Sequence, residues 1–120
     1  DKYIKIMKVY VFGNEDVEKD NAAIKAAKRL KGRVKNVEFI MVKPNEELPF
    51  VGEKKVIILD VIEGIKKITV FKGKAVDKLI LSPRVSCHDY DLAFQLKYLQ
   101  KLGKLGKVTI IGLPNQSLKN

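Results

Sequence analysis

One segment of this chain restricts its fold more than any other. Val56-Ile-Ile-Leu59 is an unbroken apolar run, and Asp60 closes it. A strand with one face in water alternates apolar and polar residues, so an unbroken apolar strand is typical of one that is covered on both faces. Such strands belong to parallel sheets with helices packed on them. The run therefore predicts a buried central strand, Val56–Asp60, in an α/β domain.

The rest of the chain contains strand and helix patterns in turn. Helical spacing of apolar residues indicates two helices, Asp20–Leu30 and Asp91–Leu102. Segments rich in β-branched and aromatic residues predict further strands at Tyr3–Phe12, Val37–Val42, Lys67–Phe71, Lys78–Leu81 and Lys107–Gly112. The predicted order is β α β β β β α β.

This order predicts an αβα-type, mostly parallel twisted sheet of about five strands. Lys67–Phe71 follows the central strand after the short turn at Glu63-Gly64, which favours an antiparallel hairpin between the two. Because only two helices are indicated, we expect one sheet face to be thinly covered or completed by a partner. We expect a single domain over residues 1–120, with residues 1–6 as an N-terminal extension and 113–120 as a loose tail.

The charge balance bears on partners. Twenty-four basic and 14 acidic residues give a formal net charge of +10. Such an excess suits nucleic acid, but aromatic residues are not interleaved with the bases as in single-strand binders, and a solvated lysine-rich surface accounts for the charge without one. No apolar run is long enough to span a bilayer, and the single cysteine cannot form an internal disulfide. We expect a cytoplasmic protein with no membrane partner.

Reactive side chains follow three of the predicted strands. Asp20 lies after the first strand, Asp60 ends the central strand, and His88 follows Lys78–Leu81. Open α/β sheets bind ligands outside the carboxyl ends of their strands. Two carboxylates and an imidazole suit a borderline divalent ion such as zinc or nickel. No nucleotide cofactor is expected, because the first loop holds four carboxylates where dinucleotide folds need glycines and exposed N–H groups.

Each of these residues also has an explanation without a metal. Asp20 is at a helix N-cap position, Asp60 can cap a turn, and His88 can be a surface residue before a helix. Cys87 and His88 would form a nucleophilic pair only within hydrogen-bond reach of each other, and lone cysteines are more often small buried hydrophobes. Glu63 is a candidate general base beside a metal, or part of a polar turn.

Five segments together match a known pattern. They are Met7–Asn14, an opening strand with Gly-Asn; Asp20 at a helix start; Ile58–Gly64, a strand with Asp and Gly; Ser86–Leu92, a His segment before a Leu-rich helix; and Val108–Gly112, a closing strand. In this order they resemble the hydrogenase maturation proteases, the endopeptidases that trim the large subunit of nickel-iron hydrogenases. Lys19 departs from the pattern, since an acid is common there, and members usually continue into a final helix.

The resemblance implies a phosphorylase/hydrolase-like fold lacking that C-terminal helix, and a metal-dependent, aspartic-type endopeptidase. Asp20, Asp60 and His88 would be its catalytic and metal-binding residues. They would engage nickel already bound in the hydrogenase large-subunit precursor, with zinc or cadmium as surrogates, and the enzyme would remove the precursor's C-terminal peptide. The alternatives are a non-catalytic factor that binds the metal or the metalloprotein and, more remotely, a basic nucleic-acid-binding module.

Overall fold

The computed structural model describes residues 5–12, 22–42, 49–81, 86–87 and 90–114. These residues form strands and helices in the order β1 (Met7–Phe12), α1 (Ala22–Lys31), β2 (Val37–Val42), β3 (Lys55–Glu63), β4 (Thr69–Lys72), α2 (Lys74–Leu81), β5 (Ser86–Cys87), α3 (Tyr90–Lys101) and β6 (Lys107–Pro114).

The strands form one sheet in the spatial order β2-β1-β3-β6-β4, and the short β5 pairs with the far end of β3. β1 is parallel to both β2 and β3, and β3 is parallel to β6 from Lys55 to Ile62. β4 runs antiparallel to β6. The predicted α/β class with a mostly parallel sheet of about five strands is confirmed, and the apolar run is its central strand. The short β5 adds a second antiparallel strand to the one that was predicted.

Two predictions about individual elements are wrong. Lys78–Leu81 is the second half of helix α2 and not a strand. A short apolar run fits either a strand or a buried helix, and Val76 and Leu79 are buried at helical spacing. Lys67–Phe71 contributes the antiparallel strand β4, but β4 pairs with β6 and forms no hairpin with β3. Because β1 and β6 occupy both edges of β3, the returning chain joins the outer edge of β6.

Element boundaries also differ from the prediction. β1 begins at Met7, so Lys5 and Ile6 precede the strand, while the predicted start of α1 at Asp20 lies outside the described residues. β6 extends to Pro114, which places Leu113 and Pro114 in the sheet and not in a loose tail. The remainder of the predicted tail, residues 115–120, lies outside the described residues.

Apolar side chains cover both faces of the sheet. On one face, α1 packs against β1, β2 and β3, and buries Ala23, Ile24 and Ala27. On the other face, the buried residues include Val76 and Leu79 of α2, Leu96 and Leu99 of α3, and Phe50. The Phe50 ring is fully buried and lies edge-on to Tyr10 at 5.1 Å and to Phe12 at 6.4 Å. Burial of one such side chain contributes about 1.5–3 kcal/mol. In the described ranges no helix has the length and apolar composition of a membrane span.

Candidate active site

Asp60 lies inside the sheet. Its residue is only 2% exposed, and it is the one charged residue that is buried within the described part of the chain. Strand alternation places its side chain on the same face as Ile58 and Ile62, which both belong to the cluster covered by α2 and α3. The backbone N–H of Val61 donates a 2.8 Å hydrogen bond to Asp60 Oδ1. The carboxylate is therefore held in a fixed direction by its own strand.

A buried carboxylate works against the packing that surrounds it. Transfer of a charged group from water into an apolar interior costs several kcal/mol unless other groups compensate it. The strand is otherwise apolar from Val56 to Ile62, so a leucine or valine at position 60 would suit the core better. Titratable groups in such settings cluster at functional sites, which makes Asp60 a candidate for a functional residue.

The strand pairing leaves a gap beside Asp60. On one edge of β3, strand β1 pairs with Ile57, Ile58 and Leu59. Farther along the same edge of β3, β5 pairs antiparallel with Ile62 and Glu63. Asp60 and Val61 lie between these two partners, and in the register of β1 the last strand residue, Phe12, is level with Asp60. This part of β3 lies toward the carboxyl ends of the parallel strands β1 and β3, where open α/β sheets commonly bind ligands.

The other two predicted site residues lie outside the described residues. Asp20 precedes α1 by two positions, and His88 follows directly on Cys87 of β5. Of the predicted triad, the structure therefore places Asp60 alone. Among the described side chains no group of three His, Cys, Asp or Glu residues could hold a metal ion. The suggested Cys87–His88 pair also extends beyond the described part, and Glu63 is half-buried at the end of β3.

Gly112 is a site neighbour that the sequence reasoning missed. It is the Cα partner of Asp60 on β6. A Cβ atom at this position would lie 2.7 Å from Ile62 Cγ1 and 3.0 Å from Phe71 Cε1. Glycine therefore allows Ile62 and Phe71 to close over the strand beside Asp60. The available signal was a glycine inside an apolar strand, which often marks a close approach.

A second polar contact supports the sheet at a distance from Asp60. The buried Tyr10 hydroxyl donates a short hydrogen bond to Glu53 Oε2. Burial, together with this bond and the charge of Glu53, raises the pKa of Tyr10 from 10.0 to about 12. The hydroxyl therefore remains protonated over the whole physiological range. It joins β1 to the segment that leads into β3, which helps to fix the strand that holds Asp60.

Comparison with protein families identifies the class of protein. The family model for hydrogenase maturation proteases matches residues 24–120. This is well over half of the chain, and the chain belongs to the hydrogenase maturation protease family. It is accordingly a peptidase, as the sequence motifs predicted. The matched range contains Asp60 and His88 and begins four residues after Asp20. No curated protein sequence matches the chain.

Solved structures show the same fold. The hydrogenase maturating endopeptidase HybD from E. coli is 21% identical, with a TM-score of 0.65, over 91% of this chain and 74% of that one. An endopeptidase from Escherichia coli, solved in solution, is 21% identical with a TM-score of 0.61, over 90% and 74%. The hydrogenase 3 maturation protease is 18% identical with a TM-score of 0.57, over 91% and 73%. At these identities the likeness establishes the fold.

Proposed function

We propose that this chain is the endopeptidase that removes the C-terminal peptide of a nickel-iron hydrogenase large-subunit precursor. Membership of the hydrogenase maturation protease family supports the reaction class. The observation that supports the site is the burial of Asp60 in β3, level with the last residue of the parallel strand β1. In this proposal the reaction takes place in the cytoplasm.

Asp20, Asp60 and His88 are the residues that engage the nickel of the precursor in this proposal. Two carboxylates and one imidazole match the ligand preferences of nickel, and of zinc or cadmium as surrogates. Since the nickel arrives with the precursor, it is part of the substrate and also the signal that the precursor is ready to be cut. A bound divalent ion supplies Lewis-acid polarisation and lowers the pKa of a bound water.

The described residues support a common location for the three side chains. Cys87, which directly precedes His88 in the sequence, is the Cα partner of Ile62, two residues after Asp60 on β3. Ala23, three residues after Asp20 in the sequence, is buried in one cluster with Leu59, which directly precedes Asp60. The fixed Asp60 carboxylate would then orient the metal end of the precursor.

The experiment is mass spectrometry of a nickel-loaded large-subunit precursor after incubation with this protein. The wild type should release one C-terminal peptide. Asp60→Asn and His88→Ala should leave the precursor intact, because each removes one ligand to the nickel. Asp77→Asn is the matched control. Asp77 is an exposed carboxylate on α2 that accepts a hydrogen bond from Gln100, and the Asp77→Asn protein should cleave the precursor as the wild type does.

The outcomes separate the activity from the site. An intact precursor with the wild type and with nickel confirmed present would contradict the activity, and would favour the alternative of a non-catalytic factor that binds the metalloprotein. Full cleavage by Asp60→Asn or by His88→Ala would leave the activity standing and overturn the assignment of these residues.

A further inference from the structure

One position on β6 lacks a side chain where the strand faces α2 and α3. Val108 and Ile110 are buried on this face, and each is the Cα partner of a buried apolar residue of β3. The next residue of β6 on this face is Gly112, and its partner is Asp60. Gly112 is not among the glycines with a positive φ, so an alanine could adopt its backbone conformation. The reason for a glycine therefore lies in the neighbouring side chains.

The space beside Gly112 is filled by side chains from three parts of the chain. A Cβ atom on this glycine would lie 2.7 Å from Ile62 Cγ1 of β3, 3.0 Å from Phe71 Cε1 of β4 and 3.3 Å from Ile65 Cδ1 between these strands. Ile62 is fully buried, and the other two side chains are half-buried. Because neighbouring strands lie about 4.8 Å apart, this apolar group is directly beside the side chain of Asp60.

Of these three side chains, Ile62 has the least room to give way. To reach ordinary van der Waals contact with a Cβ atom on Gly112, Ile62 Cγ1 would have to retreat by about 0.7 Å. This atom is one bond from the branched Cβ of isoleucine, whose χ1 is stiff, and it belongs to a closely packed core. Rotation of the side chain therefore does not relieve the contact, and part of the shift is transmitted along β3.

The transmitted shift reaches the hydrogen bond that orients Asp60. Val61 lies between Asp60 and Ile62 on β3, and its N–H donates to Asp60 Oδ1 at 2.8 Å. A hydrogen bond weakens steeply as its angle departs from linearity. A movement of Ile62 that turns the neighbouring peptide group thus changes the direction in which the carboxylate is held. The link runs from Gly112 through Ile62 and Val61 to Asp60.

We infer that Gly112 is a positioning residue for Asp60. Its missing Cβ leaves Ile62 in the place where the Val61 N–H holds the carboxylate in the direction that the cleavage reaction requires. This inference rests on the proposed function, in which Asp60 engages the precursor. Misplacement of a reacting group by about 1 Å costs about a hundredfold in rate, so a shift of a few tenths of an ångström should cost about tenfold. A glycine that served packing alone would affect stability and leave the carboxylate in place.

Two measurements on Gly112→Ala test this link. The first is the amide proton resonance of Val61 in the protein alone, by NMR, and the second is the single-turnover rate of precursor cleavage at saturating protein. Both are made at about 15 °C, near the temperature at which typical domains are most stable, with sucrose to favour the folded state. Gly112→Ala should move the Val61 resonance upfield, because its hydrogen bond weakens, and should lower the rate about tenfold.

Val108→Ala is the matched control. It lies on the same strand and the same face as Gly112, about 13 Å away along β6, and it also costs stability because it leaves a cavity in the core. Changes at this separation are usually independent. Val108→Ala should therefore leave the Val61 resonance in place and keep the cleavage rate within about twofold of the wild type.

Each result decides between the two proposals. If the wild type cleaves and Gly112→Ala cleaves equally fast, the positioning role is wrong and the proposed function stands. If the rate falls while the Val61 resonance stays in place, or if both variants lose the rate alike, the positioning role is also wrong. If the wild type leaves the precursor intact but the Val61 resonance moves in Gly112→Ala alone, the link to Asp60 stands and the proposed function is wrong. A Gly112→Ala protein without a native NMR spectrum would make the glycine a requirement of folding and overturn the inference.

Discussion

Gly106 provides a stringent test of the packing around the central strand. It precedes β6, and a Cβ atom on it would lie 2.2 Å from the carbonyl oxygen of Glu53 and 2.3 Å from that of Lys54. Both distances are far inside van der Waals contact, which is about 3.5 Å. The obstructing atoms are backbone atoms, so no side chain can turn aside. Gly106→Ala must therefore push β6 away from the segment that leads into β3.

The size of the effect follows from what that movement disturbs. The N–H of Lys107 donates to Lys54 O at 2.8 Å, and the N–H of Gly52 donates to Lys104 O at 3.3 Å. Loss of each bond costs about 1 kcal/mol, and forcing an extra carbon into a packed contact adds about 1–3 kcal/mol. We expect Gly106→Ala to lower the free energy of unfolding by about 3–5 kcal/mol, a large part of the 5–15 kcal/mol typical of a domain.

Urea unfolding followed by circular dichroism measures this change. With a denaturant slope of about 2 kcal/mol/M, the midpoint should fall by about 2 M. Gly32→Ala is the matched control, because a Cβ there meets nothing within 4 Å, and it should be neutral or stabilising by up to about 1 kcal/mol. If Gly106→Ala unfolds at the same urea concentration as Gly32→Ala, the close approach of these two segments is refuted.

Three further changes have defined outcomes. Gly112→Ala should cost about 1–3 kcal/mol in urea unfolding, because its Cβ displaces side chains and not backbone; an unchanged midpoint would contradict this packing. Because the pKa of Tyr10 is raised on folding, its protonated hydroxyl stabilises the folded state fully below pH 10. This stabilisation is lost as the pH rises through about 12. Tyr10→Phe should therefore make the fall in stability over this window smaller by about 2–3 kcal/mol, and an equal fall in both proteins would be the contrary result. Asp60→Asn keeps an acceptor for the Val61 N–H, so its unfolding free energy should change by less than about 1.5 kcal/mol while cleavage is lost; a larger loss of stability would make its inactivity uninformative.

The sequence predicted the fold well where periodicity decides the outcome. The unbroken run at Val56–Leu59 identified the central strand, and Val37–Val42 is a strand over the predicted residues. Strand pairing was harder, because local spacing favoured a hairpin for Lys67–Phe71 whereas the neighbours of β3 were decided by residues far away in the chain. Lys78–Leu81 failed for a different reason. Four residues do not distinguish a two-residue period from a helical one, and the buried Val76 that resolves it lies outside the segment.

The candidate site was predictable to a different degree for each residue. The sequence placed Asp60 at the end of the central strand, whereas the structure continues β3 to Glu63 and buries Asp60 inside it. Asp20 and His88 remain predictions, because both lie outside the described residues. Gly112 could not be connected with Asp60 from the sequence. That connection needs the register between β3 and β6, which only the assembled sheet supplies.

The register between β3 and β6 places Asp60 and Gly112 side by side, so the two residues are best interpreted together. An aspartate inside an apolar strand costs stability, and so does a glycine inside another strand, which has no side chain to pack. If these two residues were unrelated, we would expect them at separate places in the sheet, but they are direct Cα partners on neighbouring parallel strands. Natural sequences concentrate such departures from good packing where function requires them. The pair therefore marks one position near the end of the sheet, where the fold gives up packing to hold a carboxylate in place. In the proposed function, this is the position that engages the precursor.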